Sequence, residues 1–314
     1  MEWITDQFVA LQQWVFEAAV QPLVYAAGLG GWGEDAFDAT GWLLIGLIEV
    51  LVLLAVIGPL QRWRPAEAVS DRRAIRTDVV YTLIHRLGVF RLAMFFLLQP
   101  VFDHGLGFLR AQGWGTLHID ELVPGITDIP WVSFVMYLVV LDFVEYLIHR
   151  GQHRFEWWWS LHSLHHSQRQ MTMWSDNRNH LLDSVLHDAI IVIVAQLIGV
   201  APGQFIALVM FTQLSESLQH ANLRLSFGRV GERLWVSPRF HRTHHRVAAA
   251  RGSNYGVLLP WWDMLLRTGD FRTTYEPTGI RDQVEPDAQG RVRDYGRGFW
   301  SQQWLGLRRI VGRG

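Results

Sequence analysis

Neither cysteine nor lysine occurs anywhere in the 314 residues. The first absence removes disulfides, thiolate metal sites, iron–sulfur clusters and cysteine nucleophiles together. The second removes a lysine Schiff base. Neither assigns a compartment. Charge is scarce as well: 18% of residues are charged, against about a quarter in soluble chains. Half are hydrophobic and the mean hydropathy is +0.11, so the deficit points to a bilayer. The formal net charge of −1 argues against a nucleic-acid binder, which carries a basic surplus. The opening residues, MEWITDQFVALQQWVF, have no basic stretch ahead of the apolar ones, and no cleaved signal peptide is expected.

What is present is apolar length. Residues 8–29 are interrupted by Gln12, Gln13, Glu17, Gln21 and Pro22, a pattern for an interfacial helix or a poor span. Residues 41–60 hold one ionisable group, Glu49, and are long enough to cross a hydrocarbon core of about 30 Å. A second segment, 79–101, is interrupted by His85, Arg86 and Arg91, and a third runs from 131 to 148. Segments 183–200 and 204–219 flank Ala201-Pro202-Gly203, the turn of a helical hairpin. With little strand alternation to count, the expectation is an all-α membrane protein of about four transmembrane helices, the hairpin included.

Arginine sets the orientation. Residues 61–76 contain five arginines, while 102–130 is arginine-poor and carries Asp103, Asp120, Glu121 and Asp128. The positive-inside rule places the former in the cytoplasm and the latter outside. Segment 131–148 then delivers His149 to the cytoplasmic face. The sixteen arginines of 221–314 agree with that side.

Eight of the fourteen histidines fall into three clusters: His149 and His153; His162, His165 and His166; His241, His244 and His245. On a helix, positions three or four apart share a face, whereas adjacent ones diverge by about 100°. A doubled histidine at the end of a motif therefore suits two metals, each neighbour reaching a different ion. A lone zinc takes four ligands, and eight imidazoles exceed that. A single histidine on an apolar helix is ordinarily core or interface; three clusters flanking membrane segments are not explained that way. Asp142 lies two helical turns before His149 on the same face and is expected to hold an imidazole N–H from behind. Trp157-Trp158-Trp159 and Trp261-Trp262 suit an interfacial belt, or equally core packing.

Taken in order, Asp142, Tyr146, His149-x3-His153, His162-x2-His165-His166-Ser167, Gln219-His220-Ala221-Asn222, His241-x2-His244-His245, Asn254-Tyr255-Gly256 and Trp262-Asp263 resemble the fatty acid hydroxylase/sterol desaturase superfamily. The resemblance covers roughly 131–270. It implies a non-haem di-iron centre in a cytoplasmic helical cap, with His149, His153, His162, His165, His166, His241, His244 and His245 as ligands. His220 matches a further family histidine. His180 fits less well, His187 less again, and Asn222 is a candidate catalytic residue. His85, His104 and His118 are expected to be structural or exposed.

The implied reaction is O₂-dependent hydroxylation or desaturation of a membrane lipid: a sterol, fatty acyl lipid, carotenoid, ornithine lipid or alkylglycerol. No cytochrome b5-like stretch is evident, so a separate redox partner is expected to supply electrons. The implied organisation is an N-terminal membrane region (1–130), a catalytic domain (131–270) and a cytoplasmic tail (271–314). Two rivals stand beside this reading. A zinc-dependent lipid hydrolase needs an open site and a carboxylate base. A divalent-cation transporter places its ligands near the midplane in broken helices.

Overall fold

The computed structural model describes residues 2–247 and 252–312. The chain is all-α. Among the described residues the one β feature is an isolated antiparallel bridge between Arg246 and Thr278. The elements are α1 (Glu2–Val15), α2 (Gln21–Ala26), α3 (Gly33–Val52), α4 (Gly58–Trp63), α5 (Arg72–Arg86), α6 (Val89–Ala111), α7 (Pro130–Arg154), α8 (Glu156–His166), α9 (Leu181–Leu197), α10 (Pro202–His220), α11 (Gly228–Gly231), α12 (Pro238–His244), α13 (Trp261–Leu265), α14 (Arg281–Val284) and α15 (Phe299–Ile310). π-helical turns join α1 to α2 and α3 to α4.

Three helical stretches are long and apolar enough to cross a membrane: Gly30–Trp63, Val89–Ala111 and Pro130–Arg154. The expected hairpin is present as α9 and α10, joined through Ala201. Its helices have 17 and 19 residues and are not among the three. At 1.5 Å per residue they reach about 26 and 28 Å, just short of a hydrocarbon core. Segment 79–101 also departs from its reading as one span. It breaks at Gly88, whose φ of +83° is readily adopted only by glycine, so α5 and α6 are separate helices.

Arg86, at the end of α5, is the buried hub between these segments. Its guanidinium pairs with Glu49 of α3 at 2.8 Å and with Asp176 at 2.8 Å. It also donates to Ser217 Oγ at 2.8 Å and to the Gln213 carbonyl at 3.0 Å, both on α10. A buried cation needs such partners, because unpaired it would forfeit its hydration. Gly46 lets α3 approach α5: a Cβ there would lie 1.7 Å from the Arg86 carbonyl oxygen. Beyond the hub, Tyr137, Leu138 and Leu141 of α7 pack with Ala195, Leu208 and Val257–Leu259 in the main apolar core. Near the far end of the chain, α15 lies on α8. Gln303 donates to Tyr81 Oη at 2.9 Å and accepts from Leu181 N at 2.8 Å, while Arg309 Nε donates to the Ser160 carbonyl at 3.1 Å.

Candidate metal centre

Four helices end at one place. His149 and His153 lie in the last six residues of α7; His162, His165 and His166 in the last five of α8; His220 closes α10; His241 and His244 end α12, with His245 as its C-cap. The C-terminus of a helix carries partial negative charge. Four such ends converging on one chamber favour a cation before any side chain is counted. Local sequence sets these ends. Phe155 turns to extended backbone after α7. At the start of α12, Ser237 Oγ accepts from Phe240 N at 3.1 Å, with Pro238 as first helical residue.

All nine histidines meet there, buried. His149, His153, His162 and His166 form one group that can hold an ion; His165, His220, His241 and His245 form another. In each, one nitrogen per ring lies within 4.8 Å of the rest. The adjacent pair His165–His166 is thus divided between the groups, as helix geometry requires. His166, His244 and His245 form a third set, and the rings of His166 and His245 stack at 4.3 Å.

Tautomers are fixed from behind. Nδ1 of His149 lies 2.9 Å from the Tyr255 carbonyl, that of His220 2.8 Å from the Glu216 carbonyl, and that of His244 2.8 Å from the Ser253 carbonyl. Nδ1 of His162 lies 3.1 Å from Asp183 Oδ2. Carbonyls and carboxylates only accept, so each of these Nδ1 atoms carries the proton and each Nε2 presents a lone pair. These bare atoms face other ring nitrogens: His220 Nε2 is 3.1 Å from His165 Nε2 and 3.0 Å from His241 Nε2, and His244 Nε2 is 3.1 Å from His166 Nε2. His162 Nε2 is buried with no hydrogen-bond partner. Lone pairs gathered at this spacing fit a cation bonded at about 2.1 Å.

Burial, followed by the neighbouring imidazoles, pushes His165, His166, His241 and His245 well below the usual histidine range. Burial takes His244 down to about 3. These rings are neutral at physiological pH, the form that binds metal. The sign of the linkage follows. Below about pH 6.5 the unfolded chain binds protons that these folded rings refuse, so stability falls as pH drops toward the depressed folded values. Chelator-treated protein should therefore show a thermal midpoint that declines steeply from pH 7 to pH 5; a flat profile contradicts the buried neutral rings.

Several expected residues stand elsewhere. Asp142 touches no imidazole. Its buried carboxylate accepts from Leu258 N (2.7 Å), Leu259 N (3.1 Å) and Trp262 Nε1 (2.8 Å), because the 253–263 loop comes between it and the histidines. Asp263 grips the same loop at Tyr255 N (2.9 Å) and Gly256 N (2.7 Å). Asn254, at φ +62°, donates to the Phe240 carbonyl at 3.0 Å. Together they hold the Ser253 and Tyr255 carbonyls against His244 and His149.

Asn222 is not in the chamber either. It clamps the chain after α4, accepting from Ala66 N (3.0 Å) and Glu67 N (2.9 Å). His180 joins neither group: its Nδ1 accepts from Leu182 N at 3.1 Å as the N-cap of α9, and its Nε2 lies 2.9 Å from the Gln303 carbonyl. His187 sits between Glu145 (2.6 Å) and Asp188 (2.9 Å). His104 and His118 are exposed, and His85 lines the chamber wall. Of the tryptophans, Trp157 and Trp261 are exposed, while Trp158 and Trp159 are buried.

The residue that does hold an imidazole by a carboxylate is Asp183, which the sequence reading passed over. It receives His162 Nδ1, Gln152 Nε2 (2.9 Å) and Trp158 Nε1 (2.7 Å). The available signal was an acidic residue in the first turn of a largely apolar helix.

Residues 134–268 match the family described as fatty acid hydroxylase. The chain is 28% identical over 259 residues to an ornithine lipid hydroxylase, OlsE, of Rhizobium tropici, covering 79% of this chain and 73% of that one. It is 28% identical over 165 residues to an alkylglycerol monooxygenase of Caenorhabditis elegans, covering 51% of this chain and 31% of that one. It is 25% identical over 165 residues to the fatty acid hydroxylase vlmA of a Lecanicillium species, covering 48% and 45%. The chain thus spans less than half the length of the last two. No solved structure matches.

Proposed function

We propose, from the premise that the chain belongs through residues 134–268 to the fatty acid hydroxylase/sterol desaturase superfamily, that it is an O₂-dependent di-iron enzyme hydroxylating or desaturating a C–H bond of a membrane lipid. The observation that carries the reading is the buried set of nine imidazoles, eight of them in two groups of four and His244 in a third set, beside an apolar cavity of ≈ 340 Å³. Imidazole accepts several metals. Oxidation of an unactivated C–H bond selects one that cycles between oxidation states, and iron, when bound, supplies the activation of O₂.

In this reading His149, His153, His162 and His166, with His244 alongside, hold one ion; His165, His220, His241 and His245 hold the other. No carboxylate belongs to either group. The domain at 131–270 does the chemistry on the cytoplasmic face, where the arginine-rich stretch 61–76 and the tail 271–314 also lie. Hydroxylation balances as C–H + O₂ + 2 electrons + 2 protons giving C–OH + H₂O, the electrons coming from a separate donor. The chain's own work is to keep the imidazoles neutral and aimed, to hold the target carbon beside them, and to exclude water by burying the chamber between four helices.

Protein from iron-replete cells should contain close to two irons per chain. With a reductant and ¹⁸O₂ it should place a single ¹⁸O in a lipid product, or remove two hydrogens from it. Full product formation without O₂, or label drawn from water, overturns the reading.

A further inference from the structure

Two cavities meet at a charged neck. The larger, ≈ 340 Å³, lies among α6, α7, α9 and α10 and is walled by residues such as Leu98, Phe102, Leu138, Phe205 and Leu208. The smaller, ≈ 150 Å³, is the histidine chamber. Glu145, His187, Asp188, Gln213 and Glu216 line both. A hydrocarbon chain threaded through this neck would strip water from carboxylates and give nothing back. An apolar tail is therefore best left in the larger cavity, with a polar group at the neck.

The neck is rich in acceptors, and the Arg91 guanidinium beside it reaches Gln213 Oε1 at 3.4 Å. His187 spends both ring nitrogens on Glu145 and Asp188. Among the described residues no hydrogen-bond donor or ion-pair partner meets the Glu216 carboxylate. One helical turn further along α10, Gln219 is 2% exposed. Its Nε2 donates to the Val257 carbonyl at 2.8 Å, while its Oε1, on a residue lining the chamber, has no partner. Residues 216 and 219 share a helix face, and His220, from the second ion group, follows directly. A buried acceptor left without a donor is destabilising; a ligand bearing N–H or O–H relieves it.

We infer that the substrate is a lipid with a hydrogen-bond-donating polar end, an amino or hydroxyl group received by Glu216 and Gln219, and that the carbon oxidised belongs to that polar end and not to the tail. This rests on the oxidase reading of the site, and it adds which class of lipid enters and which end faces the histidines.

Binding and regiochemistry test it separately. Equilibrium binding to zinc-loaded protein in detergent, which cannot oxidise its ligand, compares dodecylamine and 1-dodecanol with dodecyl methyl ether. At least one donor-bearing probe should bind about tenfold tighter than the ether, the worth of one charge-assisted hydrogen bond. Whether the amine or the alcohol gains more tells which donor the neck takes. Glu216→Gln should narrow that gap. Equal binding of all three probes overturns the inference. With iron-loaded protein and ¹⁸O₂, label mapped by mass spectrometry onto the polar end of a lipid product supports it. Label in mid-chain or at the tail end overturns it and leaves the oxidase reading intact. A donor preference with no O₂-dependent product does the reverse, overturning the oxidase reading alone.

Discussion

Alanine in place of His166 should strip the chain of both ions, not one. This ring belongs to the group of His149, His153 and His162, joins His244 and His245 in a second set, and is stacked on His245. Its removal deletes a ligand from one position and the wall of the other. Iron content is expected to fall to near zero and turnover to background. His241→Ala, which touches one group only, should retain about one iron per chain while losing activity. Elemental analysis and turnover on the two purified variants decide the matter. Two irons retained in His166→Ala would show that the stacked ring is not shared.

The second large effect concerns two aspartates with opposite consequences. Asp183→Leu leaves His162 Nδ1, Gln152 Nε2 and Trp158 Nε1 without an acceptor, so the ring of His162 is free to turn. Losing such a support typically costs 10–100-fold in metal affinity or activity, and iron affinity should fall by that order. Asp183→Asn, which keeps an acceptor but no charge, should fall less. Asp142→Leu orphans three donors of the 253–263 loop at about 1–3 kcal/mol each. Its first symptom should be a lowered thermal midpoint, with metal lost as a result of unfolding. Titrating iron into metal-free protein while following thermal stability separates the cases. Weakened iron binding with an unchanged midpoint in Asp142→Leu, or an unaffected affinity in Asp183→Leu, would contradict the assignment.

That exchange of roles shows how far the sequence could be read. The three histidine clusters were legible because side chains brought together at helix ends keep short, repeated spacings that survive without knowledge of tertiary structure. The division of His165 from His166 followed from the helical turn alone. The role given to Asp142 did not hold, because a shared helix face says what a side chain is near along its own helix and nothing about a loop more than a hundred residues away that comes between. Asp183 and the neck formed by Glu145, His187, Asp188 and Glu216 join helices α7, α9 and α10, and no local pattern connects them. The break at Gly88 was hidden for a different reason: hydropathy counts apolar residues across a turn as readily as along a helix. His180 looked like a ligand because its type matched, yet a histidine nitrogen can also cap a helix, and this one does.

The position of α15 has a consequence for how the protein is made. It buttresses α8, which carries three of the nine histidines. Through Gln303 it also braces the start of α9, beside the carboxylate that steadies His162. Yet α15 is synthesised after every one of those residues. While the ribosome is still adding the stretch between His245 and Phe299, at about 5–20 residues per second, the histidine helices are already made and their outer brace is missing. A chain ending before Phe299 would lack this brace, so it is expected to retain its ions less well than the full chain, as metal content of the two after dialysis would show.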